Sequence, residues 1–145
     1  MNFLLLVLTE DIQEIENKRA MEARAILRNC PLSARKMRLV VDLVRDRSVD
    51  DALNVLKFTK KEAAEWLEKV LLSAISNWEN KTNMAYSAAD YDLYVKEAYS
   101  NEGAFLKRFR PAPHGRAHRI RKRTNHVTLV VENRIEIDNL NDEEE

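Results

Sequence analysis

The sequence predicts an α+β protein, and three observations carry that reading. Helical apolar patterns crowd the stretch from Ser33 to Asn80, and period-2 strand patterns lie at Leu93 to Ser100 and at Val127 to Val131. Between those strands, Lys107 to Arg123 reads KRFRPAPHGRAHRIRKR, with eight Lys or Arg in seventeen residues and no acid. The acid-free window extends from Gly103 to Val131. Pro111-Ala112-Pro113-His114-Gly115 near its middle can reverse a chain but cannot continue a helix or a central strand. The simplest geometry is a long two-stranded arm, basic at its far end.

Composition sets the frame for this arm. The chain has 145 residues, 45% of them apolar, enough for one domain with a modest core. Two Gly and three Pro leave little room for long flexible linkers. The formal net charge of zero hides a division. Residues 1–20 carry a net −2 and residues 132–145 a net −6, whereas residues 21–131 carry +8. A basic body with acidic ends points to a polyanion partner. Residues 1–20 are expected to be an N-terminal extension, 21–134 a single domain with its arm over about 93–131, and 135–145 a disordered acidic tail. Met21 offers an alternative start. Cys30 is the only cysteine, so no intrachain disulfide or zinc cluster can form, and it is expected in the core beside Pro31. The apolar run Phe3 to Leu8 lacks the flanks of a signal peptide and is too short to span a bilayer, so no membrane partner and a cytoplasmic location are expected.

The elements follow in order. Glu10 to Ala25 is compatible with a helix, whereas Ala23 to Leu27 is compatible with the start of a strand. From Leu32 the pattern sharpens. Met37, Val40, Val41 and Val44 recur at helical spacing, and Ser33 is the expected N-cap, its hydroxyl accepting from an orphan amide. Arg35, Lys36 and Arg38 fall in the first turns, where cations oppose the helix dipole. A phosphate outside the helix would give them a use. Ser48 to Asp51 and Thr59 to Glu62 both fit the capping-box pattern. The first opens a helix over roughly 49–57 with Ala52, Leu53 and Leu56 on its stripe. The second opens a long helix over roughly 60–80, ~30 Å long. Its stripe is Ala63, Leu67, Val70, Leu71, Ala74, Ile75 and Trp78, and Trp66 and Trp78 are most simply core aromatics. Asn80 to Asp92 reads as a loop.

The strand after it alternates Leu93, Val95, Glu97, Tyr99 against Tyr94, Lys96, Ala98, Ser100. With Gly115 near the turn, facing positions sum to roughly 227, placing Phe109 beside His118 and basic pairs at the tip. Each side of the arm has about 17 residues and spans ~55 Å. A compact domain of this size has a radius of gyration near ~15 Å. The distal half must therefore project. Both faces of it carry Lys or Arg, and an isolated ribbon is marginal in water, so a polyanion is its natural surrounding. Six of the eight bases are Arg, whose guanidinium forks bind phosphate bidentately and stack on bases.

Catalytic signals are missing. No Gly-rich phosphate loop, metal-ligand spacing or nucleophile–base arrangement appears, and His114, His118 and His126 have no neighbouring carboxylate or cysteine in sequence. A non-enzyme without cofactor or metal is expected.

Several blocks in order resemble the large-subunit ribosomal protein family twenty-two. They are Ser33 to Val40, Leu56-Lys57-Phe58, Lys61 to Ala64, Ser73 to Asn77, Leu106 to Pro111, Gly115 to Ala117 and Arg119 to Thr124, covering the chain from about Ala23 to Val131. The resemblance implies three helices packed on a three-stranded antiparallel sheet, with the third strand at about Ala23 to Arg28 and a protruding hairpin. It implies partners: large-subunit ribosomal RNA, neighbouring large-subunit ribosomal proteins, and the nascent polypeptide at the hairpin tip, in the wall of the exit tunnel. The RNA-binding set is then Arg35, Lys36, Arg38, Lys107, Arg108, Arg110, Arg116, Arg119, Arg121, Lys122 and Arg123, and the tip is Pro111, Ala112, Pro113, His114, Gly115 and Arg116. Ala34, Asp46 and His114 stand where the family commonly has Pro, Gly and Gln. The alternative reading is a DNA-architectural protein, which also uses a basic ribbon with Pro at its tip. It would act as a dimer, and no dimer seam is evident.

Overall fold

The computed structural model describes residues 21–82 and 91–134. The expectations for residues 1–20, for the part of the Asn80 to Asp92 loop over 83–90 and for the tail 135–145 lie outside the described residues, while Asn80 and Lys81, expected in that loop, are still helical. Strand β1 spans Glu22–Cys30, followed by helices α1 (Ala34–Val44), α2 (Val49–Phe58) and α3 (Glu62–Lys81), then strands β2 (Leu93–Pro111) and β3 (Ala117–Asn133). The strands form one antiparallel sheet in the order β1-β3-β2. The α+β class is as expected, and among the described residues so is the plan of three helices on a three-stranded sheet.

The last described strand, β3, is the central one. That accounts for the near-continuous apolar run Val127 to Val131: Val127, Leu129 and Val131 face the helices, and Thr128 and Val130 are also buried, flanked by strands on both sides. α3 packs along β1, α1 along β2, and α2 against α3. The helix stripes read from spacing form this core. Met37, Val40, Val41, Val44, Leu67, Leu71, Ala74 and Trp78 are fully buried. Cys30 is in the core too, where burial pushes its thiol up and the backbone hydrogen bond with Leu32 works against that.

The caps are less regular than the sequence suggests. Ser48 Oγ accepts from the Asp51 amide at 3.4 Å, the expected cap of α2. Ser33 occupies the N-cap position of α1, but its hydroxyl makes no cap bond and only its carbonyl accepts, from Lys36 and Met37. Thr59 does not open α3. It closes α2, its hydroxyl donating to the Val55 carbonyl at 2.6 Å, and α3 starts later, after Lys61. A threonine between two helices can serve either end, and the short connection leaves its hydroxyl over the last turn of α2.

Within the body of the sheet, part of each outer edge is covered by side chains from the helices or the residues just after them. On β2, Arg38 donates to the Ser100 carbonyl at 3.1 Å and Arg45 to the Ala98 carbonyl at 2.8 Å. The Asp46 amide donates to Val95 and the Val95 amide to Arg47, so the chain after α1 pairs with the same edge. On β1, Asn77 donates to Arg24, Lys81 to Glu22 and the Trp78 indole to Met21. Edge carbonyls that would otherwise invite another strand are thereby occupied.

Asp46 makes this turn with φ at 61°, in the left-handed region. Glycine adopts this conformation without the cost a side chain adds. Asp46→Gly is expected to leave the fold intact and to raise stability by up to ~1 kcal/mol. Urea unfolding checks this, and a clear loss of stability would show that the Asp46 side chain contributes more than its backbone costs.

The strand alternation of β2 is broken where the sequence suggests it runs on. The register shifts between Val95 and Glu97, leaving Lys96 as an extra residue. Leu93 and Val95 face the core before this bulge, and Ala98 and Ser100 face it afterwards. Glu97 and Tyr99 therefore turn outward. Lys96 reaches across the outer face to Glu132 at 3.0 Å and to Glu22, while the Tyr94 hydroxyl donates to Glu132. Burial would push the Glu132 carboxyl up, but the bonds from Tyr94 and Lys96 hold it below the usual range.

Candidate nucleic-acid interface

β2 and β3 stay paired from Leu93 with Asn133 out to Pro111 with Ala117. Beyond Glu102 on one strand and Thr124 on the other, nearly every residue is exposed. A second bulge lies at the point of departure. Gly103 and Ala104 together oppose Thr124, so facing positions sum to 228 from Phe105 outward, and Phe109 sits opposite Arg119, not His118.

That one-residue shift decides the faces. Phe105, Lys107, Phe109, Arg119, Arg121 and Arg123 share the face that continues the helix side of the sheet. Leu106, Arg108, Arg110, His118, Ile120 and Lys122 share the other. Both faces are cationic, as expected. Most of the basic pairs expected toward the tip are not formed, because the shifted register sets most bases opposite apolar residues: Phe105 with Arg123, Leu106 with Lys122, Arg108 with Ile120, Phe109 with Arg119. Lys107 and Arg121 are the like-charged exception. The Arg121 guanidinium lies 5.2 Å from the Phe105 ring centroid. Among the described residues, no Lys or Arg from 107 to 123 is in an ion pair.

Gly103 is what permits the bulge. A Cβ there would lie 2.5 Å from Thr124 Oγ1, which itself donates to the Ala104 carbonyl at 2.6 Å. Gly103→Ala is expected to cost ~1–3 kcal/mol by overpacking, with part of the loss recovered in the double variant with Thr124→Ala. Thermal unfolding of the single and double variants measures this, and full additivity would refute the steric account. A glycine inside a strand pattern was the available signal.

At the tip, His114 and Gly115 both adopt left-handed backbone, with φ of 61° and 70°, and the Arg116 amide donates to the Pro113 carbonyl. Two successive left-handed residues are what a type I′ hairpin turn requires. Pro111, Pro113, His114, Gly115 and Arg116 are exposed or nearly so, and Ala112, whose amide donates to Arg116, is half-buried.

The helix-one bases divide. Arg35 and Lys36 are exposed and face the root of the arm across a groove that Phe105, Arg121 and Arg123 also line. Arg38 spends its Nε on the Ser100 carbonyl. It supports β2 and keeps only its terminal nitrogens for another partner. His126 and the two tryptophans take structural places. His126 Nδ1 accepts from the Asn29 amide, Trp78 is buried, and Trp66 is half-buried below Lys69. Asn125, fully buried where the arm leaves the body, donates to the Leu32 carbonyl at 2.8 Å, a contact no sequence pattern announces. Among the described residues no group of three or more His, Cys, Asp or Glu could hold a metal ion.

A small α+β body whose longest element is a cationic ribbon outside its own core has the build of a ribosomal protein. The sequence profile of the family Ribosomal protein L22p/L17e matches residues 25–132, and the chain belongs to that family. A Christiangramia forsetii protein named large ribosomal subunit protein uL22 is 54% identical over 122 residues, 84% of this chain and 90% of its own length. The Flavobacterium johnsoniae protein of the same name is 56% identical over 123 residues, 85% and 88% of the two chains. That of Bacteroides fragilis is 54% identical over 110 residues, 76% and 79%.

Proposed function

We propose that this chain is a structural, non-enzymatic constituent of the large ribosomal subunit that binds large-subunit ribosomal RNA and supports subunit assembly. The observation that carries this is the segment 105–123: eight cations on two exposed faces, no acid, and no ion pair among the described residues. The arm neutralises phosphates where RNA segments approach one another, and the exposed Arg35 and Lys36 anchor the body beside its root. The tip, Pro111 to Arg116, forms part of the wall of the nascent-polypeptide exit tunnel. Neighbouring large-subunit proteins complete the set of partners, and the protein acts on the cytoplasmic ribosome. Among the described residues no helix is long and apolar enough to cross a membrane.

Binding to large-subunit ribosomal RNA is expected to weaken with a log–log salt slope of up to about −6, from ~0.7 per neutralised phosphate and eight cations. Filter binding over a salt series measures it, with duplex DNA as competitor. Salt-independent binding, or displacement by duplex DNA in preference to ribosomal RNA, would overturn the assignment, the latter in favour of a DNA-architectural role.

A further inference from the structure

We propose that the groove between α1 and the root of the arm is a nucleotide pocket, which receives one unstacked nucleotide of single-stranded RNA. Its base lies against Phe105 and Leu39, and its phosphate lies among Arg35, Lys36 and Arg123. This rests on the RNA-binding reading above and adds a site that reads an unpaired base, not only a backbone.

Size, charge and exposed apolar surface converge on that occupant. The groove encloses about 630 Å³, within the ~300–1,000 Å³ range of small-ligand sites. Arg35, Lys36, Arg121 and Arg123 line it against a single acid, Glu102. None of the four cations is in an ion pair among the described residues. Cations alone would suit any phosphate backbone. Phe105 and Leu39, however, are 43% and 57% exposed at the same groove. A duplex presents mainly phosphate and sugar to such a surface, whereas a splayed-out base presents an aromatic face that covers it. The Arg121 guanidinium near the Phe105 ring extends the stacking surface. The bulge at Gly103 sets this up: it turns Phe105 onto the helix side of the arm, opposite Arg123 and facing α1.

The test uses the full chain and two probes with equal numbers of phosphates, a short single-stranded oligoadenylate and an RNA duplex. Phe105→Ala is expected to weaken oligoadenylate binding roughly 5- to 100-fold, the usual cost of removing one base-stacking aromatic, and to leave duplex binding unchanged. Leu39→Ser should act in the same direction. Both side chains are exposed, so circular dichroism should show wild-type folding in both variants. Photo-crosslinks from the oligoadenylate should map to Phe105 or Leu39. Equal loss on both probes, no loss on either, or crosslinks confined to Pro111 to Arg116 would overturn the pocket. If the wild-type chain retains salt-dependent binding to ribosomal RNA in those cases, the pocket alone falls. If the wild-type chain binds no RNA at all, the RNA-binding reading falls and the pocket with it.

Discussion

Reversing Arg119, Arg121 and Arg123 to Glu is expected to block incorporation of the protein into the large subunit. Affinity for large-subunit ribosomal RNA should fall on the order of 1,000-fold or more, taking ~1.5 kcal/mol for each lost charge-assisted contact. The salt slope should become shallower by about 2, since three neutralised phosphates are removed at ~0.7 each. All three side chains lie on the helix-side face of the arm and are exposed, away from the core. Stability should therefore hold, and an unchanged melting temperature separates lost binding from lost folding. Relief of the repulsion between the paired Lys107 and Arg121 offsets the loss of the contact between Arg121 and the Phe105 ring in the free protein. Sedimentation of assembled subunits gives the decisive reading. Normal incorporation of the triple variant would mean that the arm does not anchor the protein.

The largest stability effect is expected at Trp78, at the other end of the molecule. Its side chain is fully buried, it packs 6.0 Å from the Tyr91 ring, and its indole donates to the Met21 carbonyl at 3.1 Å. It thus joins α3 to the start of β1 by both packing and a hydrogen bond. Trp78→Ala should cost ~3–5 kcal/mol, a large share of the ~5–15 kcal/mol available to a domain of this size. Trp78→Phe keeps most of the volume and loses the bond, and should cost about 1–3 kcal/mol. Urea denaturation at equilibrium ranks the two. A loss below ~1 kcal/mol for the alanine variant would show that the surrounding helices close over the gap and that Trp78 is not a keystone.

These two experiments address parts of the molecule that differ in how they were legible. The arm was visible because its signals are compositional and local: a run of cations, an acid-free window, and a proline–glycine turn between two strand patterns. The helix stripes were visible because a 3.6-residue period is a property of one segment. Met37, Val40, Val41 and Val44 needed no partner to declare their face. The hydroxyls at Ser33 and Thr59 were less legible, since each sits near a helix end where several backbone groups compete for one side chain. Arg38 looked like a phosphate ligand because its sequence neighbours are bases. The neighbour that takes its Nε, the Ser100 carbonyl, is sixty-two residues away.

From the sequence alone follow the α+β class, the three helices with their buried stripes, and a cationic ribbon too long to rest on its own body. Only the tertiary structure decides which strand is central, which edge groups are covered, and which arm side chains share a face. The reason is that register belongs to a pair of strands. A period-2 pattern read along β2 cannot report that Lys96, and then Gly103 with Ala104, add residues that β3 does not match. Each added residue reverses inward and outward for everything beyond it. It is the second of them that brings Phe105 to the helix side of the arm, beside Arg121 and Arg123 and across from Arg35 and Lys36.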